Sequence, residues 1–100
     1  MITPDSATRE TATLDMLVDN GRIRMTRITW APGAETGWHT HPHDYVIVPY
    51  VDCRVRVETA DGTFEAGMQR DAPYFREKGI THNVISLETT PFSLIEIEIK

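Results

Sequence analysis

One hundred residues carry 10 Lys and Arg against 15 Asp and Glu, a formal net charge of −5, with 40% hydrophobic residues and a single cysteine, Cys53. At this size roughly 60–65% of the surface exposed by the unfolded chain can be buried on folding, enough for one core and too little for two, so one domain is expected. Nucleic acid is an unsuitable partner, because counterion release needs clustered cations and the Lys and Arg here are scattered. No window approaches the ~20 consecutive apolar residues of a membrane-spanning helix.

Residues 1–13 are rich in Thr, Ser, Asp and Glu, include Pro4 and have no clean hydrophobic period, which predicts a mobile or loosely docked N-terminal arm ahead of a domain over residues 14–100. The polar run over residues 1–15 lacks the apolar centre of a signal peptide, and a lone cysteine fits a reducing compartment, so a cytoplasmic location is expected.

From Leu14 the hydrophobic period becomes two. Met16-Leu17-Val18 runs into Asn20-Gly21, the dipeptide best suited to a type I′ hairpin turn, and the return strand spans Arg22 to Trp30. Arg27 interrupts the apolar phase of Ile23 and Met25, which predicts an edge position or a bulge near it. Ala31 to Gly37 is a turn-rich loop, followed by a run from Trp38 to Tyr50. In the next strand Cys53, Val55 and Val57 alternate with Arg54, Arg56 and Glu58, which puts Cys53 in the core as a small apolar residue. Asp61-Gly62 turns the chain, and strands follow at Thr63–Ala66, Tyr74–Arg76, Thr81–Leu87 and Phe92–Lys100. In the last strand Ile95, Ile97 and Ile99 form one face; Glu96 and Glu98 read as the polar face opposite, and either could supply an acid if that face lined the interior. Tyr50, Tyr74, Phe75 and Phe92 are expected in the core or a pocket wall, and Trp38 over a cavity mouth or in a dimer contact. About seven or eight short strands with regular turns and no convincing helix predict an all-β fold, a small antiparallel β-barrel or jelly roll.

Three of the four histidines fall within five residues, in Gly37-Trp38-His39-Thr40-His41-Pro42-His43-Asp44-Tyr45. Side chains at i and i+2 of an extended chain point the same way, so His39 and His41 can place two imidazoles over one cavity. His82 opens another strand after the Gly79 turn, where a neighbouring strand could bring it alongside. Neutral imidazole suits Zn, Fe, Ni and Cu alike, so this set predicts a first-row transition metal without naming it. His43, beyond Pro42, is either a cavity or supporting residue or an exposed one.

Gly33, His39-x-His41 and position 45 resemble in spacing the first motif of the cupin superfamily, and Gly79-x-x-His82 resembles the core of the second. More narrowly, GWHTHPHDYVIVP and FSLIEIEIK are similar to a group of very small cupins labelled as β-alanine degradation proteins. The resemblance implies a barrel whose mouth is the active site, with motif histidines around a divalent transition metal for which Fe, Zn, Ni and Mn are candidates. Cupins commonly dimerise by sheet extension, which implies a homodimer.

The sequence departs from that pattern at several points. Tyr45 stands where the motif-one glutamate is usual, Asp52 and Asp71 stand at glycine positions, Glu77 at a proline and Ser86 at an asparagine. Three histidines without a carboxylate resemble the thiol and diketone dioxygenase members, which implies a small organic acid or related metabolite as substrate. Tyr45 then has three candidate roles: phenolate ligand, hydrogen-bond donor to bound oxygen, or packing. The catalytic candidates are Tyr45 and His43. A non-catalytic binding module and an isomerase needing a nearby acid are the competing functions.

Overall fold

The computed structural model describes residues 9–100. Nine strands run β1 (Thr13–Asp19), β2 (Ile23–Trp30), β3 (His39–Thr40), β4 (Asp44–Pro49), β5 (Cys53–Thr59), β6 (Gly62–Met68), β7 (Tyr74–Arg76), β8 (Thr81–Ser86) and β9 (Phe92–Ile99). No helix occurs among the described residues. The strands form two antiparallel sheets, β1-β2-β9-β4-β7 and β3-β8-β5-β6, the jelly-roll arrangement that the strand pattern predicts. Each sheet is hydrogen-bonded within itself, and the two face each other without closing into one continuous cylinder.

Alternation decides which side chains fill the space between the sheets. In β5 Cys53, Val55 and Val57 are buried while Arg54 is exposed. In β4 Tyr45, Ile47 and Pro49 are buried, and in β2 the buried set is Thr26, Ile28 and Trp30. Trp30 stacks on Phe92 with ring centroids 4.9 Å apart, and its indole N–H donates to the Val84 carbonyl at 3.1 Å, tying the two sheets together.

Several sequence expectations are corrected. The β1–β2 hairpin forms, yet neither Asn20 nor Gly21 has positive φ, so the turn is not type I′. Asn20 Oδ1 instead accepts from the Arg22 and Ile23 N–H groups at 2.8 and 3.0 Å, a local side-chain turn that needs no left-handed residue. The bulge lies in β1 between Met16 and Val18, across from the Met25–Thr26 region, because β1 is the edge strand and can absorb an extra residue more easily than the interior β2. The run from Trp38 to Tyr50 is split at Pro42 into β3 and β4, which belong to different sheets. Tyr50 and Phe75 are exposed, whereas Phe92 is buried and Tyr74 half-buried as expected. Asp71, which the resemblance sets against a usual glycine, adopts φ 59°, a left-handed conformation that Asp enters more readily than most side chains.

Of the predicted arm, residues 1–8 lie outside the described residues. Ala12 is buried, its N–H donates to the Glu35 carbonyl at 2.7 Å, and Arg9 pairs with the Glu35 carboxylate at 3.0 Å.

Candidate metal centre

The antiparallel register of β3 with β8 places His39 directly opposite His82, joining positions that are 43 residues apart in the chain. His41, two residues beyond His39, leans into the same space. Its Nε2 lies 3.1 Å from His39 Nε2 and 3.0 Å from His82 Nε2. A set of ligand atoms, one from each imidazole, falls within 4.8 Å, a geometry that could hold a metal ion.

The protonation chemistry fits a cation. His39 Nδ1–H donates to the Gly37 carbonyl at 2.8 Å, which in the neutral ring leaves the Nε2 lone pair facing the cluster. Burial, followed by the neighbouring imidazoles, pushes His41 down to about 4, and burial with His39 does the same to His82. At neutral pH both rings are therefore neutral, the form in which an imidazole nitrogen can act as a metal ligand. Three neutral imidazoles whose nitrogens converge to this distance could hold a metal ion.

Tyr45 flanks this cluster. Its ring stacks on His41 with centroids 3.9 Å apart and planes 16° from parallel. Burial first, then Tyr74 and Glu96, raises its hydroxyl to about 12, so it remains a neutral phenol. The Glu96 carboxylate lies 3.8 Å from His41 Nδ1. Burial and the adjacent Glu98 raise Glu96 to about 7. The interior position of Glu96 and Glu98 corrects their reading as a solvent-facing polar stripe. β9 sits in the middle of its sheet, and Phe92 and Leu94, in the same phase, are core residues. Glu98 has a partner in Arg24 at 3.9 Å, whereas Glu96 accepts no hydrogen bond from any described residue.

The backbone that carries these side chains is stapled from behind. Asn83, almost fully buried on the opposite face of β8 from His82, accepts from the Gly37 N–H at 2.9 Å and donates to Glu35 and Glu58, each at 2.9 Å. Gly37 has φ 84°, a conformation that a side chain would strain, and its carbonyl orients His39. Asp44 Oδ1 accepts from the Lys78 N–H at 2.8 Å, and the Gly79 N–H donates to the His41 carbonyl at 2.8 Å, fixing the turn that delivers His82.

The three histidines open into a cavity of about 410 Å³ between the sheets. Its walls are mainly apolar, with Ile47, Val55, Val57 and Leu94 contributing, and Tyr45, Tyr74, Glu96 and Arg76 also line it. His43 lies half-buried in the β3–β4 turn and is not among the lining residues. Trp38 is exposed and lies outside the lining as well. Cys53 is buried in the core, its thiol pushed up to about 11 by burial and then by Glu88 and Asp52. Sequence reasoning did not find Asn83 or Arg76. The only sign of Asn83 was an amide inside the otherwise apolar Val84-Ile85 strand, and Arg76 carried no motif at all.

No protein-family model matches the chain. A *Pseudomonas aeruginosa* protein named β-alanine degradation protein BauB is 43% identical over 83 residues, covering 83% of this chain and 87% of that protein. The crystal structure of a cupin domain from *Bordetella pertussis* is 40% identical and superposes with a TM-score of 0.91, covering 93% of this chain and 97% of the other. A cupin superfamily protein from *Desulfitobacterium hafniense* is 11% identical with a TM-score of 0.68, covering 98% and 88% of the two chains, a likeness of fold alone. With the strand order, the histidine placement and these relatives in agreement, the chain belongs to the cupin superfamily, as a small cupin resembling BauB.

Proposed function

We propose that this chain is a metal-dependent enzyme that binds a small organic acid or related metabolite at a three-histidine centre. The observation that carries the reading is the convergence of His39, His41 and His82 Nε2 atoms at one end of a largely apolar cavity. In this reading the three imidazoles hold a divalent transition metal, Fe, Zn, Ni or Mn, which when bound supplies Lewis acidity or a site for oxygen chemistry. Apolar walls exclude water from the bound molecule and strengthen polar contacts inside. Tyr45, kept as a neutral phenol, serves as a hydrogen-bond donor to the bound molecule and as the support for His41. His43 has no assigned role.

The name of BauB gives the first compounds to test, three-carbon amino and oxo acids related to β-alanine. The experiment is metal analysis of untagged protein followed by turnover assays of the metal-loaded form with these acids, with oxygen uptake recorded. Stoichiometric metal that is lost in His39→Ala, together with turnover, is the expected result. Metal without turnover of any such acid would leave a binding module, and no metal would remove the reading.

The same reading includes a cytoplasmic homodimer. β1 is a sheet edge whose Leu14 and Met16 are 65% and 59% exposed, with Leu17 and Val18 also exposed, and a second copy would cover them by sheet extension. Light scattering of the wild type and of a Leu14→Glu, Met16→Glu variant tests it, with a dimer expected for the first and a monomer for the second.

A further inference from the structure

Among the described residues that line the cavity, Arg76 is the only Lys or Arg and Glu96 the only Asp or Glu. They stand on different strands of one sheet, on either side of β4. Arg76 in β7 is the cross-strand neighbour of Tyr45, and Glu96 in β9 is the cross-strand neighbour of Ile47. Because strands in a sheet lie ~4.8 Å apart, two residues separated by one intervening strand frame a space that suits a short molecule.

The two side chains differ in setting. Arg76 lines the cavity and is also exposed, so it stands where the cavity meets solvent. Its guanidinium lies over the Tyr74 ring, 4.5 Å from the centroid, and its one hydrogen bond goes to the Phe75 carbonyl at 3.0 Å. Among the described residues no carboxylate pairs with it, in contrast to Arg9, Arg24 and Arg54. The planar fork therefore retains donors suited to bidentate contact with a carboxylate. Glu96 lies at the histidine end, 14% exposed as a side chain, with acceptor oxygens that no described donor fills. Its carboxylate is not among the fully buried polar atoms left without a partner, so it is reachable from the cavity and open to a donor on a bound molecule.

We propose that Arg76 and Glu96 form the two poles of a binding site for a short carboxylic acid that carries an alcohol or amine at its opposite end. The ligand's carboxylate meets the Arg76 guanidinium, its chain lies against the apolar walls, and its donor group reaches Glu96 beside the three histidines. This inference rests on the small-acid reading above and narrows it to acids bearing a donor at the far end.

Calorimetric titration of the zinc-loaded and metal-free protein with 3-hydroxypropionate, propionate and 3-hydroxypropionamide tests it. The hydroxy acid is expected to bind more tightly than either analogue. Loss of a charge-assisted contact is worth roughly a tenfold change or more, so Arg76→Gln is expected to weaken both acids by at least about tenfold and to leave the amide unchanged. Arg76 is exposed on an edge strand, so this variant folds, as circular dichroism would check. Glu96→Leu is expected to lower the hydroxy acid to the level of propionate. Equal binding of acid and amide, or acid affinity within about twofold of wild type in Arg76→Gln, overturns the carboxylate pole. A hydroxyl that confers no advantage, or keeps its advantage in Glu96→Leu, overturns the other. Zinc content is measured in each protein. If wild type takes up no zinc yet the acids still depend on Arg76, the metal reading fails while the two-pole site stands.

Discussion

The ring of Tyr45 lies flat against the imidazole of His41, with centroids 3.9 Å apart and an interplanar angle of 16°. A residue at the position where a cupin glutamate would supply a charge instead supplies a surface that fixes the orientation of one histidine.

This contact separates two properties of Tyr45. Tyr45→Phe keeps the stacking surface and removes the hydroxyl, so stability is expected to change by less than about 1 kcal/mol, while turnover of any accepted substrate falls. Tyr45→Ala removes a buried aromatic ring and is expected to cost about 3–5 kcal/mol, with weaker metal uptake. Chemical denaturation alongside zinc titration measures both variants.

Removal of a direct ligand differs from removal of its support. His39→Ala, His41→Ala and His82→Ala are each expected to lower metal affinity by more than the roughly ten- to hundred-fold typical of losing a supporting hydrogen bond. Competition with a coloured chelator reads the difference. Equal metal affinity in wild type and all three variants would mean the cluster is not the site.

Asn83 is the supporting case. Asn83→Leu leaves the Gly37 N–H without its acceptor and the Glu35 and Glu58 carboxylates without a shared donor, with Arg9 as their remaining partner. These groups are half-buried and the carboxylates keep Arg9, so each loss falls below the about 1–3 kcal/mol of a fully buried stranded group. The variant is expected to melt well below wild type and to bind metal about ten- to hundred-fold more weakly, since Gly37 orients His39. Unchanged metal affinity in a folded Asn83→Leu protein would detach Asn83 from the site.

Acid and base act on the metal-free protein with opposite signs. His41 and His82 sit at about 4 in the fold against 6.5 in the open chain. Between those values the unfolded state binds more protons, so stability falls as pH drops through that window. Glu96 sits at about 7 against 4.5, so the folded state holds the extra proton and stability is lost as pH rises from 4.5 to 7. Glu96→Gln removes the second effect. Its melting temperature is expected to match wild type near pH 4.5 and exceed it increasingly toward pH 7.5, as thermal melts in chelator would record.

Much of the architecture was written in the period-two pattern, and its exceptions are instructive. The alternation of Cys53, Val55 and Val57 identified β5 because that strand has one buried face. The alternation of Ile95, Ile97 and Ile99 pointed to the wrong face of β9, because a strand in the middle of a sheet can carry apolar residues on both faces and acidic ones inside. Asn20-Gly21 located the hairpin but not its turn, since the Asn20 side chain captured the backbone donors that a type I′ geometry would have arranged otherwise.

By itself the amino-acid order determined a jelly roll of short strands and a pair of imidazoles facing one way, because both follow from the local two-residue repeat of an extended chain. Tertiary structure alone decided that His82 meets His39, that Glu96 turns inward, that Arg76 lines the cavity and that Asn83 holds the Gly37 backbone. Those relationships depend on which strands become neighbours and in what register. That choice is made by the burial of the whole core, and no local stretch of residues encodes it.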